Sequence, residues 1–120
     1  MRVLVCGGRD YLDYNYLDTI LFDVLDIGMT GKDHTIIQGE AKGADFLSKV
    51  FAYEYELKVE SFPANWKKYG KAAGSVRNQQ MLDEGKPDLV VAFPGGTGTA
   101  DMIRRAKKAG VEVIQVKWNG

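Results

Sequence analysis

The fold is decided by residues 88–102, which read Asp88-Leu89-Val90-Val91-Ala92-Phe93-Pro94-Gly95-Gly96-Thr97-Gly98-Thr99-Ala100-Asp101-Met102. A short apolar run, bounded by Lys86-Pro87 before it and by Pro94-Gly95-Gly96 after it, predicts a buried strand. Residues 100–109 predict a helix. The stretch therefore predicts a strand, a glycine-rich turn and a helix in succession.

The glycine-rich turn predicts an anion site. Three glycines within four residues leave backbone N–H groups uncovered by any Cβ, and the positive end of the helix points to the same place. Thr97 and Thr99 add hydroxyl groups, so the expected ligand is a phosphate or a carboxylate. The alternative is a turn that only reverses the chain, with Thr99 as an ordinary N-cap. Because the loop matches neither the G-x-G-x-x-G fingerprint nor the P-loop, we do not expect ordinary dinucleotide or Mg-ATP chemistry.

Length and composition predict one soluble domain over residues 1–120. Hydrophobic residues make up 45% of the chain, and no apolar run approaches the roughly 20 residues of a membrane span. One cysteine and no Cys/His cluster with zinc spacing exclude an internal disulfide and predict no metal and no cofactor, which fits a cytoplasmic protein. Sixteen basic residues balance sixteen acidic ones, so net charge gives no argument for nucleic-acid binding.

A second glycine turn follows the first predicted strand, residues 1–6. It reads Gly7-Gly8-Arg9-Asp10. At a strand end, Arg9 is placed to pair with a phosphate and Asp10 to accept a hydrogen bond from a sugar hydroxyl. The alternative is a surface ion pair with Asp10 as an N-cap. Cys6 is interpreted as a small buried hydrophobe.

A third glycine turn follows a short predicted strand at residues 35–37. It reads Gln38-Gly39-Glu40-Ala41-Lys42-Gly43-Ala44-Asp45. Asp45 falls in the first turn of the next helix, where the dipole favours a carboxylate whatever the function. The single histidine, His34, precedes the strand, so we expect it on the surface at the opposite end of the sheet.

The longest stretch predicted as irregular is residues 63–78. Trp66 and the lysines near it predict a flap over an anionic, base-containing ligand, and the alternative is a tryptophan packed on the sheet. These lysines are Lys67, Lys68 and Lys71. Arg77 is predicted in the first turn of a helix that starts near Gly74, where a cation opposes the dipole, so we expect it to hold a negative group.

The order of elements predicts the topology. Alternation of apolar and polar residues at 57–62 predicts a strand at or near a sheet edge, and residues 111–116 are the final predicted strand. With a first helix that ends at Gly28, the pattern is five strands separated by four helices. Such alternation predicts an α/β, three-layer Rossmann-like sandwich with a five-stranded parallel sheet in the order 3-2-1-4-5. In such sheets ligands bind at the carboxyl ends of the strands where the order reverses, here between strands 1 and 4. The Gly7-Gly8 and Gly95-Gly96 turns flank that point.

These motifs together resemble the SLOG superfamily of Rossmann-like domains, and within it the YspA-like, YpsA-related family of small bacterial and phage proteins. The residues that carry the resemblance are Gly7-Gly8-Arg9-Asp10, Gly39 with Gly43-Ala44-Asp45, Trp66, Gly74 with Arg77-Asn78, and Phe93-Pro94-Gly95-Gly96-Thr97-Gly98-Thr99. The resemblance implies a bound nucleotide or nucleotide-derived ligand and a homodimer. The predicted ligand-binding residues are Gly7, Gly8, Arg9, Asp10, Gly39, Gly43, Trp66, Arg77, Asn78, Pro94, Gly95, Gly96, Thr97, Gly98 and Thr99.

Two further functions stay open. The related cytokinin-activating phosphoribohydrolases cleave the N-glycosidic bond of nucleoside monophosphates and share a Pro-Gly-Gly-x-Gly-Thr-x-x-Glu motif, in which Met102 occupies the glutamate position here. Arg77 matches an arginine of those enzymes. Asp10, Asp45 and Asp101 are the candidate catalytic carboxylates, although Asp101 lies about 100° around the helix from the motif position. The related DprA domain binds single-stranded DNA, a function that the neutral charge of this chain disfavours.

Overall fold

The computed structural model describes residues 1–117, and its centre is a sheet of five parallel strands. The strands are β1 (Arg2–Cys6), β2 (Thr35–Gln38), β3 (Lys58–Ser61), β4 (Leu89–Ala92) and β5 (Glu112–Gln115). They pair in the order β3-β2-β1-β4-β5. This order confirms the predicted topology. Of the predicted domain, residues 118–120 lie outside the described part.

In the described part of the chain, six α-helices connect and cover the strands. They are α1 (Tyr14–Leu25), α2 (Ile27–Thr30), α3 (Ala44–Glu54), α4 (Trp66–Tyr69), α5 (Ala73–Gly85) and α6 (Thr97–Lys108). None of the helices within residues 1–117 is both long and apolar enough to cross a membrane.

Two apolar clusters, one on each face of the sheet, form the core. Successive residues of the central strands alternate between them, because side chains of a strand point to opposite faces. Val3 and Val91 pack with α1 and α3, whereas Leu4 and Val90 pack with α5 and α6. This division confirms three layers, and it places the carboxyl ends of β1 and β4 side by side.

Three local predictions are wrong. Only residues 63–65 of the predicted irregular stretch 63–78 are irregular, because α4, a 3-10 turn at Gly70–Ala72 and the start of α5 follow one another from Trp66 onward. Gly28 does not end the first helix: Asp26 does, with a left-handed backbone (φ 53°), and Gly28 lies inside α2. His34 is buried rather than on the surface, and its Nε2 lies 2.7 Å from the Thr30 hydroxyl.

Candidate functional site

A cleft of about 1070 Å³ opens at the carboxyl ends of β1, β2 and β4. Residues 7–10 follow β1, residues 39–43 follow β2 and residues 93–96 follow β4; we call these the β1, β2 and β4 loops. The predicted site residues that line the cleft are Gly7, Gly8, Arg9, Asp10, Gly39, Asp45, Trp66, Arg77, Asn78, Pro94, Gly95, Gly96, Thr97, Gly98 and Thr99. Gly43 and Asp101, also predicted for the site, are not among the residues that line it.

The three loops pack tightly on one another through their glycines. The Gly8 N–H donates a 2.9 Å hydrogen bond to the Pro94 carbonyl, and a Cβ on Gly95 would lie 2.6 Å from the Gly8 nitrogen. Gly43 has a left-handed φ of 75°, and a Cβ there would overlap the Gly8 carbonyl oxygen. Contacts between the loops therefore explain why Gly8, Gly43 and Gly95 lack side chains.

Gly96 and Gly98 have no such explanation. A Cβ on either would have no described atom within 4 Å, and neither has a positive φ. Both are exposed to the cleft. Gly96, rather than Thr99, is the N-cap of α6, and no side chain caps that helix. The N–H groups of the first turn, which lack partners within a helix, thus face open space at the cleft.

Arg77 is tied to the β2 loop. The helix begins at Ala73, one residue before Gly74, so Arg77 is the fifth residue of α5 and lies just beyond the first turn in which it was predicted. Its Nη1 donates a 2.6 Å hydrogen bond to the Gly39 carbonyl, and its Nε donates one of 3.1 Å to Asn78 Oδ1. A Cβ on Gly39 would lie 2.7 Å from Arg77 Cζ, so Gly39 leaves the space that the guanidinium occupies. Nη2 makes no hydrogen bond to any group in residues 1–117.

Asn78 joins α5 to α6. Its buried amide Nδ2 donates to the Gly98 carbonyl at 3.2 Å and to Asp101 Oδ2 at 3.0 Å. Asp101 also pairs with Arg104, and it accepts a 2.9 Å hydrogen bond from Arg105 Nε. Burial opposes ionisation of Asp101, but the hydrogen bonds from Asn78 and Arg105 outweigh it and lower the pKa of this carboxyl.

The position of the motif glutamate also lies away from the cleft. Met102 is fully buried in the cluster between the sheet and the α5–α6 layer. It does not line the cleft. Neither Met102 nor its neighbour Asp101 therefore brings a side chain to the ligand space.

Three carboxylates do line the cleft. Asp45 is buried, and its Oδ2 accepts hydrogen bonds from the N–H groups of Gly39 (3.1 Å) and Ala41 (3.3 Å). Burial raises the pKa of Asp45, against the opposing effect of Arg77. Asp10 is exposed on the β1 loop. The third carboxylate is Glu40.

Sequence reasoning missed Glu40. This residue has a left-handed φ of 60° and lines the cleft. Hydrogen bonds from Ser61, Gln38 and Lys49 lower its pKa to about 2. This backbone conformation is typical of glycine or asparagine rather than glutamate. The sequence around Glu40 therefore gives no sign that this residue lines the cleft.

Trp66, the first residue of α4, forms part of the cleft wall. Its side chain is 57% exposed. The flap lysines predicted with it are also exposed, but they do not line the cleft. Cys6 lies at the floor, where burial raises the pKa of its thiol to about 12 and keeps it protonated. Across residues 1–117, no group of three or more His, Cys, Asp or Glu side chains is placed to hold a metal ion.

Comparison with known proteins adds two findings. The model of a protein family described as "YspA, cpYpsA-related SLOG family" matches residues 1–69, which include the β1 loop, the β2 loop and Trp66. The chain is also similar to the "Gene 61 protein" of Mycobacterium phage D29. The two are 34% identical over 120 aligned residues, which cover 94% of each chain.

Proposed function

Because the chain belongs to the YspA, cpYpsA-related SLOG family, we propose that it binds a nucleotide or nucleotide-derived ligand in the cleft. The phosphate lies on residues 95–99 and beside Arg77. The observation that carries this proposal is the pair Gly96 and Gly98, two exposed glycines that have neither a positive φ nor, within residues 1–117, an atom that a Cβ would contact.

The phosphate position follows from charge and geometry. The uncapped first turn of α6 presents backbone N–H groups and the positive end of the helix dipole. Arg77 lines the cleft, and Nη2 makes no hydrogen bond within residues 1–117 while Nη1 and Nε are held by Gly39 and Asn78. A fixed guanidinium beside a helix N-terminus suits the planar, paired recognition of a phosphate.

The rest of a nucleotide fits the other walls. Trp66 offers an exposed aromatic face at the rim, and a nucleobase stacks well on such a face. Asp10 is an exposed carboxylate on the β1 loop, placed to accept a hydrogen bond from a ribose hydroxyl. The ligand then lies across the β1 and β4 loops, at the point where the strand order reverses.

A second candidate function is hydrolysis of the N-glycosidic bond of that nucleotide, and it rests on Asp45. A buried carboxyl that lines the cleft, and whose pKa burial raises above its ordinary value, is suited to act as a general acid or base. Asp45 is a better candidate than Asp101 for the catalytic carboxylate, because the carboxylate of Asp101 is bonded to Asn78, Arg104 and Arg105.

One experiment tests both functions. Purified protein is incubated at near-stoichiometric concentration with nucleoside mono-, di- and cyclic phosphates and with nicotinamide dinucleotides, and bound nucleotide and free base are separated by chromatography. Retention of an intact nucleotide supports binding alone. Release of free base that Asp45→Asn abolishes supports hydrolysis. If no nucleotide is retained or cleaved, the proposed function is wrong.

A further inference from the structure

The cleft has a second cationic wall, formed by Arg9 and Lys42, that the phosphate position on α6 does not use. Both side chains are exposed and both residues line the cleft. They belong to loops that touch: a Cβ on Gly43 would lie 2.7 Å from the Arg9 carbonyl carbon. Two cations from different loops therefore lie on one rim.

Neither cation is neutralised by the protein. Within residues 1–117, Arg9 and Lys42 make no ion pair and no side-chain hydrogen bond. Glu40, the carboxylate nearest to Lys42 in sequence, is already paired with Lys49 at 3.0 Å. Asp10 remains as the one exposed carboxylate of the β1 loop, and the proposed function assigns it to a sugar hydroxyl. With two cations against this one exposed carboxylate, the rim keeps a net positive charge that attracts an anion.

Lys42, on the β2 loop, is separated from the first phosphate, whereas Arg9 lies on the β1 loop between the two. The β2 and β4 strands lie on either side of β1. Neighbouring strands are spaced by nearly 5 Å, so the β2 and β4 loops begin about 10 Å apart. Two phosphates that share a bridging oxygen in a diphosphate would both remain near α6. Two phosphates on different positions of one nucleoside reach both places.

We infer that the ligand is a nucleotide with two separate phosphate groups, as in a nucleoside 3′,5′-bisphosphate, and that Arg9 and Lys42 bind the second phosphate. This inference rests on the proposed function, because it takes the first phosphate to lie on α6. Exposed charge-assisted contacts of this kind contribute modestly to affinity, and two of them correspond to about a tenfold gain.

The test compares a nucleoside 5′-monophosphate with the 3′,5′-bisphosphate of the same base, for each of the four common bases, by isothermal titration calorimetry. For the base that binds, we expect the bisphosphate to bind about tenfold more tightly. In the Arg9→Gln/Lys42→Gln variant this gain should disappear, so that the bisphosphate binds no more tightly than the monophosphate does. Both side chains are exposed, so the fold is not expected to change.

The matched control is Lys107→Gln/Lys108→Gln, which removes the same charge at the far end of α6 and should leave the bisphosphate gain intact. Equal affinity for the two nucleotides, or a gain that survives in Arg9→Gln/Lys42→Gln, overturns the inference and leaves the proposed function standing. Tighter binding of a 5′-phosphorylated dinucleotide than of the bisphosphate also overturns it, because the second site then takes a strand. Absence of any nucleotide binding overturns both.

Discussion

Arg77 on α5 donates a 2.6 Å hydrogen bond from Nη1 to the carbonyl of Gly39 on the β2 loop. This bond links the helix to the loop and leaves Nη2 of Arg77 without a hydrogen bond to any group in residues 1–117. It is possible only because residue 39 has no side chain, since a Cβ there would occupy the position of the guanidinium.

Gly39→Ala is therefore expected to weaken nucleotide binding without unfolding the protein. The clash falls on the flexible end of Arg77, so the free energy of unfolding should change by less than about 1 kcal/mol. Displacing a charged hydrogen-bond donor from the phosphate should lower affinity about tenfold. Calorimetric titration and urea denaturation measure the two effects separately.

The matched control for that substitution is Gly28→Ala. Gly28 lies in α2, and a Cβ there would meet only Phe22 at 3.9 Å. We expect wild-type affinity for Gly28→Ala. If Gly39→Ala also binds as the wild type does, the fixed position of Arg77 has no part in binding.

Asp45→Asn is expected to stabilise the protein at pH 7. Burial raises the pKa of Asp45 above the ordinary value of 3.8, so the ionised carboxylate costs the folded state free energy at neutral pH. That cost disappears as the pH falls through the raised pKa. The stability advantage of the variant should therefore shrink between pH 7 and 3.8, as followed by urea denaturation at several pH values.

Two outcomes would contradict this prediction for Asp45→Asn. A variant less stable than the wild type at pH 7, or an advantage that grows on acidification, would show that burial is not the main influence on the ionisation of Asp45.

Exposed Asp23 on α1 provides the control for Asp45. Asp23→Asn removes the same charge without removing a buried carboxylate. We expect its stability to follow that of the wild type across the same pH range.

Asn78→Ala is expected to lower both stability and nucleotide affinity. The amide connects the Gly98 carbonyl with Asp101, and Asn78 is buried. Losing these hydrogen bonds should cost about 2 kcal/mol of unfolding free energy. The α6 N-terminus also loses a contact that positions it. Gln80→Ala, two residues further along α5, should change neither quantity. Equal effects of the two substitutions would show that Asn78 has no special role.

The topology was predictable because its determinants are local and repeated. Each apolar run ends at a turn residue, and strands separated by helices leave few possible orders for a parallel sheet. The meeting of Gly7, Gly8, Gly95 and Gly96 at the reversal of strand order follows from that topology alone.

Side-chain directions were less predictable, because they depend on where each helix begins. The helix predicted at residues 100–109 begins at Thr97, and the one with Arg77 begins at Ala73, directly after a 3-10 turn. A shift of one residue rotates a helical side chain by about 100°. The positions of Asp101 and Arg77 therefore required the structure.

Two other differences have tertiary causes. His34 is buried, and the hydroxyl of Thr30, at the end of α2, is the hydrogen-bonding partner of its ring. Glu40 enters the cleft through a left-handed backbone conformation, with Gln38 and Lys49 holding its carboxylate. Neither contact follows from the spacing of residues along the chain.

The central claim is that a phosphate lies on the exposed N-terminus of α6, and substitutions at Gly96 test it most directly. Asn and Asp are both good N-cap residues and have nearly the same shape, so Gly96→Asn and Gly96→Asp should fold at least as stably as the wild type. Only Asp places a negative charge where the phosphate is proposed.

The deciding measurement is the calorimetric affinity of the two Gly96 variants for the nucleotide that the wild type retains. We expect Gly96→Asn to bind more weakly than the wild type, because its side chain enters the ligand space. We expect Gly96→Asp to lose about a further hundredfold, because its carboxylate repels the phosphate. Wild-type affinity in Gly96→Asp would show that the phosphate does not lie on the N-terminus of α6.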